Sequence, residues 1–257
     1  MAVSIEDIKK LRDQSGVSMT SCKKALEEAN GDMSLAIENL RKKGESKAME
    51  RAERTTSNGV VKVKVDGNKG ALVALLCETD FVSRGDDFKA LGDLLLEKAF
   101  NGALTNENEE VQEVKDAQLK MGENVKLGKV AVISSDVLGF YVHSNDKIGA
   151  IVALKGGDAD LAKDLAMHAS ATNPKYLSST DVDNALVSKE REIWTEQLKN
   201  EGKNEEIIEK ILVGKEKKFR EENAFLSQEF VKNPETKISD LLKDKNAEIV
   251  DFVVFSI

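Results

Sequence analysis

The sequence predicts an α+β protein with a three-helix unit at its N-terminus, a duplicated α/β core with antiparallel sheets, and a protruding helical hairpin. Three observations carry this expectation. Apolar residues recur at helical spacing through the first 44 residues. The segment Gly70-Ala71-Leu72-Val73-Ala74-Leu75 returns as Gly149-Ala150-Ile151-Val152-Ala153-Leu154, the mark of an internal repeat. A highly charged stretch around residue 200 carries only a narrow apolar stripe.

Bulk properties narrow the function classes. At 257 residues the chain exceeds a comfortable single core. Its hydrophobic content is 40%, and no apolar run approaches the roughly 20 residues of a membrane span. The N-terminus lacks the pattern of a secretory leader, so the expected location is cytoplasmic. Cys22 and Cys77 lie far apart without metal-type spacing and read as reduced, small hydrophobes. A net charge of -8 argues against a nucleic-acid footprint, which needs clustered Lys and Arg in excess.

Element by element, residues 1–44 form the helical unit. Ser4 with Asp7 caps a helix bearing Ile5, Ile8 and Leu11, stopped at Gly16. Ser18 caps a second helix with Met19, Cys22, Ala25, Leu26 and Ala29, closed by Asn30-Gly31. Asp32 opens a third with Met33, Ala36, Ile37 and Leu40, closed by Gly44. Residues 45–57 are charged and weakly periodic, and read as a linker, helical or not, that does not pack deeply.

The core divides at the repeat into 58–139 and 140–257. In the first half Val61, Val63 and Val65 alternate with lysines, and Asp66-Gly67-Asn68 turns into the run Ala71 to Cys77. Residues 87–100 then have helical periodicity. In the second half Phe140, Tyr141 and Val142 lead through Ser144-Asn145-Asp146 into Ile148 to Leu154, and a helix follows with Leu161, Leu165 and Ala169. Leu75 to Phe88 in the first copy is six residues longer than Leu154 to Leu161 in the second, and the excess falls in Glu78 to Gly85. Because the fold closes without this insertion, it points to function.

Residues 181–223 read as two helices broken at Asn200 to Asn204, with Val182, Leu186, Ile193, Trp194 and Leu198 on one and Ile207, Ile208, Ile211, Leu212 and Phe219 on the other. Such a narrow stripe suits a protruding antiparallel pair. Phe230, Val231 and Pro234 precede a short helix capped by Thr236. The last segment, Ile249 to Ile257, is apolar on both faces and is expected as a central strand.

No catalytic motif presents itself: no phosphate loop, nucleophile elbow or zinc-binding His-Glu-x-x-His is present. Cys77 and His143 are the pair a thiol hydrolase would need, but Cys77 lies in an apolar strand. His168 reads as a helix histidine near the core. In Thr79-Asp80-Phe81-Val82 two accounts stay open: Phe81 belongs to the local core, or it stands exposed on an inserted single-turn helix as an anchor for a partner. Lys120-Met121-Gly122-Glu123-Asn124 is a charged turn before a strand, and Arg12, Lys23 and Lys24 read as a solvated face.

Taken together these pieces resemble the elongation factor Ts family over nearly the whole chain. The first unit is similar to its ubiquitin-associated-like domain through Leu11 to Gly16, Cys22 to Leu26, Ala29 to Asp32 and Leu35 to Leu40. Thr79-Asp80-Phe81-Val82 and Gly122-Glu123-Asn124 resemble two family signatures. Thr20 and Ser21 stand where the family usually has methionine and aspartate, and relatives carry a short C-terminal helical module past the position of Ile257 that is not expected here.

The resemblance implies a guanine-nucleotide exchange factor, not an enzyme, that binds elongation factor Tu in its GDP-bound and nucleotide-free states. It implies no cofactor or metal, no direct nucleic-acid contact and no membrane. By the same resemblance Thr79, Asp80, Phe81 and Val82 form the GTPase contact, with Asp80 and Phe81 entering the partner near its magnesium site, and Met121, Gly122 and His143 belong to the meeting surface. Arg12, Met19 and Lys23 would dock the N-terminal unit, and Val231 another partner domain. The rival reading is a helical scaffold whose N-terminal unit binds peptides, which leaves the Asp80-Phe81 insertion unexplained.

Overall fold

The computed structural model describes residues 3–257, with every side chain except those of residues 45–50. Three helices open the chain: α1 (Ile5–Ser15), α2 (Met19–Glu28) and α3 (Met33–Arg51). The strands β1 (Asn58–Asp66) and β2 (Lys69–Cys77) follow, then α4 (Asp80–Arg84), α5 (Asp86–Phe100), α6 (Gln112–Met121) and β3 (Lys126–Ser134). The second half comprises β4 (Val137–Val142), β5 (Ile148–Lys155), α7 (Ala159–Thr172), α8 (Asn184–Asn200), α9 (Glu205–Asn223), β6 (Glu229–Phe230), β7 (Asn233–Lys237), α10 (Ile238–Asp244) and β8 (Glu248–Ser256).

The first helices obey their local signals. Ser4 Oγ accepts from Asp7 N at 3.0 Å, and Gly16 ends α1 in the left-handed region at φ 68°. Ser18 Oγ and Asp32 Oδ1 cap the next two helices by accepting from Ser21 N and Leu35 N. Leu11, Cys22, Leu26 and Ala36 fill the space between them.

One helix boundary needs correction. α3 is not closed by Gly44 but runs through it to Arg51. A glycine costs a helix about 1 kcal/mol in propensity, but here it lets α3 lie against α6, since a Cβ at Gly44 would collide with the Leu119 side chain. The stretch after α3 stays exposed but is tied down: Asn124 Nδ2 donates to Ala52 O at 3.2 Å and to Arg54 O at 2.9 Å. The sequence reading missed α6, whose inward residues Val114 and Ala117 are too few to stand out.

Two antiparallel three-stranded sheets, in the orders β1-β2-β3 and β4-β5-β8, pack face to face. Successive strand residues point to opposite faces, so β2 sends Leu72 and Ala74 between the sheets and Val73 and Leu75 outward under α5. β5 likewise sends Ile151 and Ala153 inward and Val152 and Leu154 towards α7. The order is therefore helix, sheet, sheet, helix. The repeat extends to a shared irregularity, a register slip between Ala74 and Leu75 in one sheet and between Ala153 and Leu154 in the other. Its two glycines are equivalent too: a Cβ on Gly149 would crowd Val61 and Val63, and one on Gly70 would crowd Ile151. Each copy needs its glycine for the other sheet to approach.

The terminal strand corrects a second expectation. β8 is an edge strand, pairing among the described residues only with β5. Its two-faced apolar pattern arises because the whole sheet is covered on both sides: Phe255 and Ile257 face the other sheet, while Ile249 and Phe252 face the helical layer. Thr236 also fails to cap α10. Lys237 occupies the cap position without a side-chain bond, and Thr236 Oγ1 accepts from Asn233 Nδ2 at 3.0 Å.

α8 and α9 form the antiparallel pair around Leu198, Ile208 and Leu212, with Trp194 edge-on to Phe219 at 5.7 Å between ring centroids. Leu186, Ile193 and Ile207 of the expected stripe are exposed, so the pair buries little more than one line of side chains. Arg191 of α8 bridges to Glu209 and Glu216 of α9, and Arg220 ties the base by donating to Val182 O. Among the described residues no helix is long and apolar enough to cross a membrane.

Candidate functional site

The six-residue excess of the first repeat contains α4, a single turn. Thr79 takes the extended cap conformation (φ -118°, ψ 158°) and accepts from Val82 N at 3.4 Å. Asp80 complements the helix N-terminus and pairs with Arg84 at 3.1 Å. The inner side is anchored: Val82 packs on the first core, and buried Ser83 donates its hydroxyl to Asp80 O. Beneath them the buried Cys77 thiol donates to Thr79 O at 3.2 Å. Burial, and secondarily the Glu123 carboxylate, push this thiol up to about 12, so it stays protonated.

Phe81 faces the other way. It is 86% exposed, the highest exposure among the large apolar residues described as exposed. The account that made it part of the local core is therefore excluded.

A second lip stands opposite α4. The turn between β4 and β5 is closed by His143 N donating to Ile148 O, and it is fastened to β1 by Val61 N donating to Asp146 O at 2.6 Å. A cleft of about 300 Å³ separates the lips, lined by Asp80, Ser83 and Arg84 on one side and Asn145, Asp146 and Lys147 on the other. His143 is exposed beside it, with Nδ1 3.1 Å from the Tyr141 hydroxyl. Cys77 and His143 thus each have other partners and form no thiol pair. Among the described residues no group of His, Cys, Asp and Glu is arranged to hold a metal ion.

The remaining candidate residues occupy three further places. Half-buried Met121 packs on the first core, and Gly122 ends α6 at φ 72°. Both line a groove shared with Ser18, Ser21 and Arg51 of the N-terminal helices. Arg12, Met19 and Lys23 are exposed on α1 and α2, and Lys23 is 3.8 Å from Glu27. Val231 lies apart from the α4 cleft, on the β6–β7 hairpin over the second sheet. It is 42% exposed, and its backbone N–H donates to His168 Nδ1 at 3.3 Å. His168 is fully buried and stacked on Phe225, with Nε2 2.9 Å from Gln228 Oε1. Burial holds its pKa below the ordinary histidine value, consistent with a neutral ring that accepts at Nδ1 and donates at Nε2.

The sequence reading missed Glu78 and Asn124 as site residues, and gave Glu123 no role. Glu78 Oε1 accepts from Asn124 N at 2.7 Å, and Arg54 lies 3.4 Å from the same carboxylate. The loop after β2, the loop after α6 and the end of the N-terminal unit therefore meet at one point. The signature Gly122-Glu123-Asn124 and the insertion beginning at Glu78 marked both loops, but nothing in the sequence paired them.

A family model described as Elongation factor TS matches residues 78–257, from the loop before α4 to the final strand. An elongation factor Ts of Saccharophagus degradans is 44% identical over 266 aligned residues, covering all of this chain and 92% of its own length. The chain belongs to the elongation factor Ts family. An elongation factor Ts of Teredinibacter turnerae is 42% identical across the whole chain, and one of Escherichia coli is 39% identical across 97% of it. These alignments take in the N-terminal helices as well as the core, so family membership extends across the chain. It is a family of translation elongation factors.

Proposed function

We propose that this protein is a guanine-nucleotide exchange factor that binds elongation factor Tu in its GDP-bound and nucleotide-free states and promotes GDP release during translation elongation. The observation that carries the reading is Phe81, a phenyl ring 86% exposed on a helical turn whose other face is fixed in the core. An exposed aromatic on a rigid support is the form of an interface anchor. Asp80 and Phe81 act as a wedge near the partner's magnesium and phosphate site. Met121, Gly122 and His143 extend the contact, Arg12, Met19 and Lys23 dock the first helices, and Val231 touches another partner domain.

No covalent chemistry is required, so the protein acts by binding and not as an enzyme. A GTPase holds its nucleotide through phosphate and magnesium contacts. A factor that binds the empty GTPase better than the loaded one must weaken nucleotide binding by the same ratio. When GTP rebinds, the factor leaves and the nucleotide equilibrium is unchanged. The net charge of -8 supports a protein partner over nucleic acid or an anionic membrane. Such a translation factor works in the cytoplasm.

The test is release of fluorescent GDP from elongation factor Tu with substoichiometric amounts of this protein. Acceleration with multiple turnovers supports the reading, and a release rate independent of the protein defeats it.

A further inference from the structure

We propose that Glu123 is the positioning residue of the Asp80-Phe81 turn: its carboxylate, brought from the loop after α6, completes the N-terminal cap of α4. The inference rests on the wedge reading above and adds the device that holds the wedge.

A five-residue helix has little internal stability, because the first turn fixes several backbone dihedrals for very few hydrogen bonds. In a capping box the third helical residue is a Glu or Gln that reaches back to the cap residue's N–H. In α4 that position is Val82, which has no acceptor. Glu123 supplies the missing group from 44 residues away. Its Oε2 accepts from Thr79 N at 3.0 Å and from Glu78 N at 3.1 Å. Its Oε1 accepts from the Thr79 hydroxyl at 2.5 Å.

The third bond orients the cap. With the Thr79 proton directed at Glu123, the hydroxyl lone pairs are left for Val82 N at 3.4 Å. A carboxylate accepting three bonds is a stronger organiser than a neutral side chain, because charge-assisted hydrogen bonds are shorter and stronger. The clasp is reciprocal, since Glu78 Oε1 accepts from Asn124 N at 2.7 Å. Asn124 in turn binds Ala52 O and Arg54 O, so the wedge and the exit of α3 share one support. Glu123 acts on the turn through Thr79 and the neighbouring Glu78 N–H.

The experiment compares Glu123→Gln, Phe81→Ala and the double variant in the GDP-release assay at saturating protein. Amide hydrogen exchange at Val82 and Ser83 and the thermal midpoint are read in parallel. The glutamine keeps one acceptor oxygen but loses the charge and the second acceptor. The expected result is release slowed about five- to tenfold, the size of a lost helix cap expressed as a rate. Val82 and Ser83 should exchange faster, and the double variant should be no slower than Phe81→Ala alone. A merely structural defect would add to the Phe81 effect. Wild-type release by Glu123→Gln, with Phe81→Ala slow, would overturn this inference alone, as would full additivity of the two. Wild-type release by Phe81→Ala would overturn the wedge reading and this inference with it. Should Glu123→Gln not fold, Thr79→Ala removes the hydroxyl that joins Glu123 to Val82 N and is held to the same epistasis with Phe81→Ala.

Discussion

Replacing Phe81 with alanine separates two properties that usually fall together, folding and activity. At 86% exposure the ring leaves only about one-seventh of its surface in contact with its own protein. A fully buried phenylalanine removes some 150–250 Å² from water, so about 30 Å² is at stake here. At about 25 cal/mol per Å² the folding cost comes to less than about 1 kcal/mol. Phe88, fully buried seven residues later, provides the contrast: its truncation should cost about 3–5 kcal/mol. In the complex the ranking reverses. An anchor filling a partner pocket is commonly worth about 2 kcal/mol or more, roughly a thirtyfold slower release of GDP from elongation factor Tu. Thermal unfolding and stopped-flow release of fluorescent GDP, on the same preparations, measure both quantities. A midpoint lowered as far as that of Phe88→Ala, or release at the wild-type rate, would refute the reasoning.

Two further outcomes follow from the fold. Replacing residues 188–217 with a short turn should preserve the melting transition of the sheets, because α8 and α9 bury Leu198, Ile208 and Leu212 mainly against each other; loss of cooperative unfolding would show the pair to be part of the core. His168 has a folded pKa held below its ordinary 6.5, so the unfolded chain takes up the proton first as pH falls. Stability is then fully present above pH 6.5 and declines as pH drops from there through the folded pKa, a slope that His168→Leu should lack in thermal melts; equal slopes in the two proteins would contradict the buried neutral ring.

Local signals carried much of this architecture. Ser4, Ser18 and Asp32 cap where the sequence has them, and the repeat at Gly70 and Gly149 marks the central strand of each sheet. The length difference between the copies points to α4. What escaped depends on contacts distant in sequence. Gly44 reads as a helix stop in isolation but serves as a crossing point, because Leu119 lies 75 residues away. The two-faced apolar pattern of β8 reports burial of the sheet on both sides, which an edge strand of a middle layer satisfies as well as a central one. Glu123 was visible as a charge in a turn and as part of a family signature but not as a cap, since a side chain capping a helix 44 residues earlier leaves no periodic trace.

The central claim concerns differential binding, and one comparison tests it most directly. The affinity of this protein for nucleotide-free elongation factor Tu is measured alongside its affinity for the GDP-loaded form, and GDP affinity is measured with and without saturating protein. Linkage requires the two ratios to be equal. The account predicts tighter binding to the empty factor, with GDP weakened by the same ratio. Equal affinity for the two forms would contradict it.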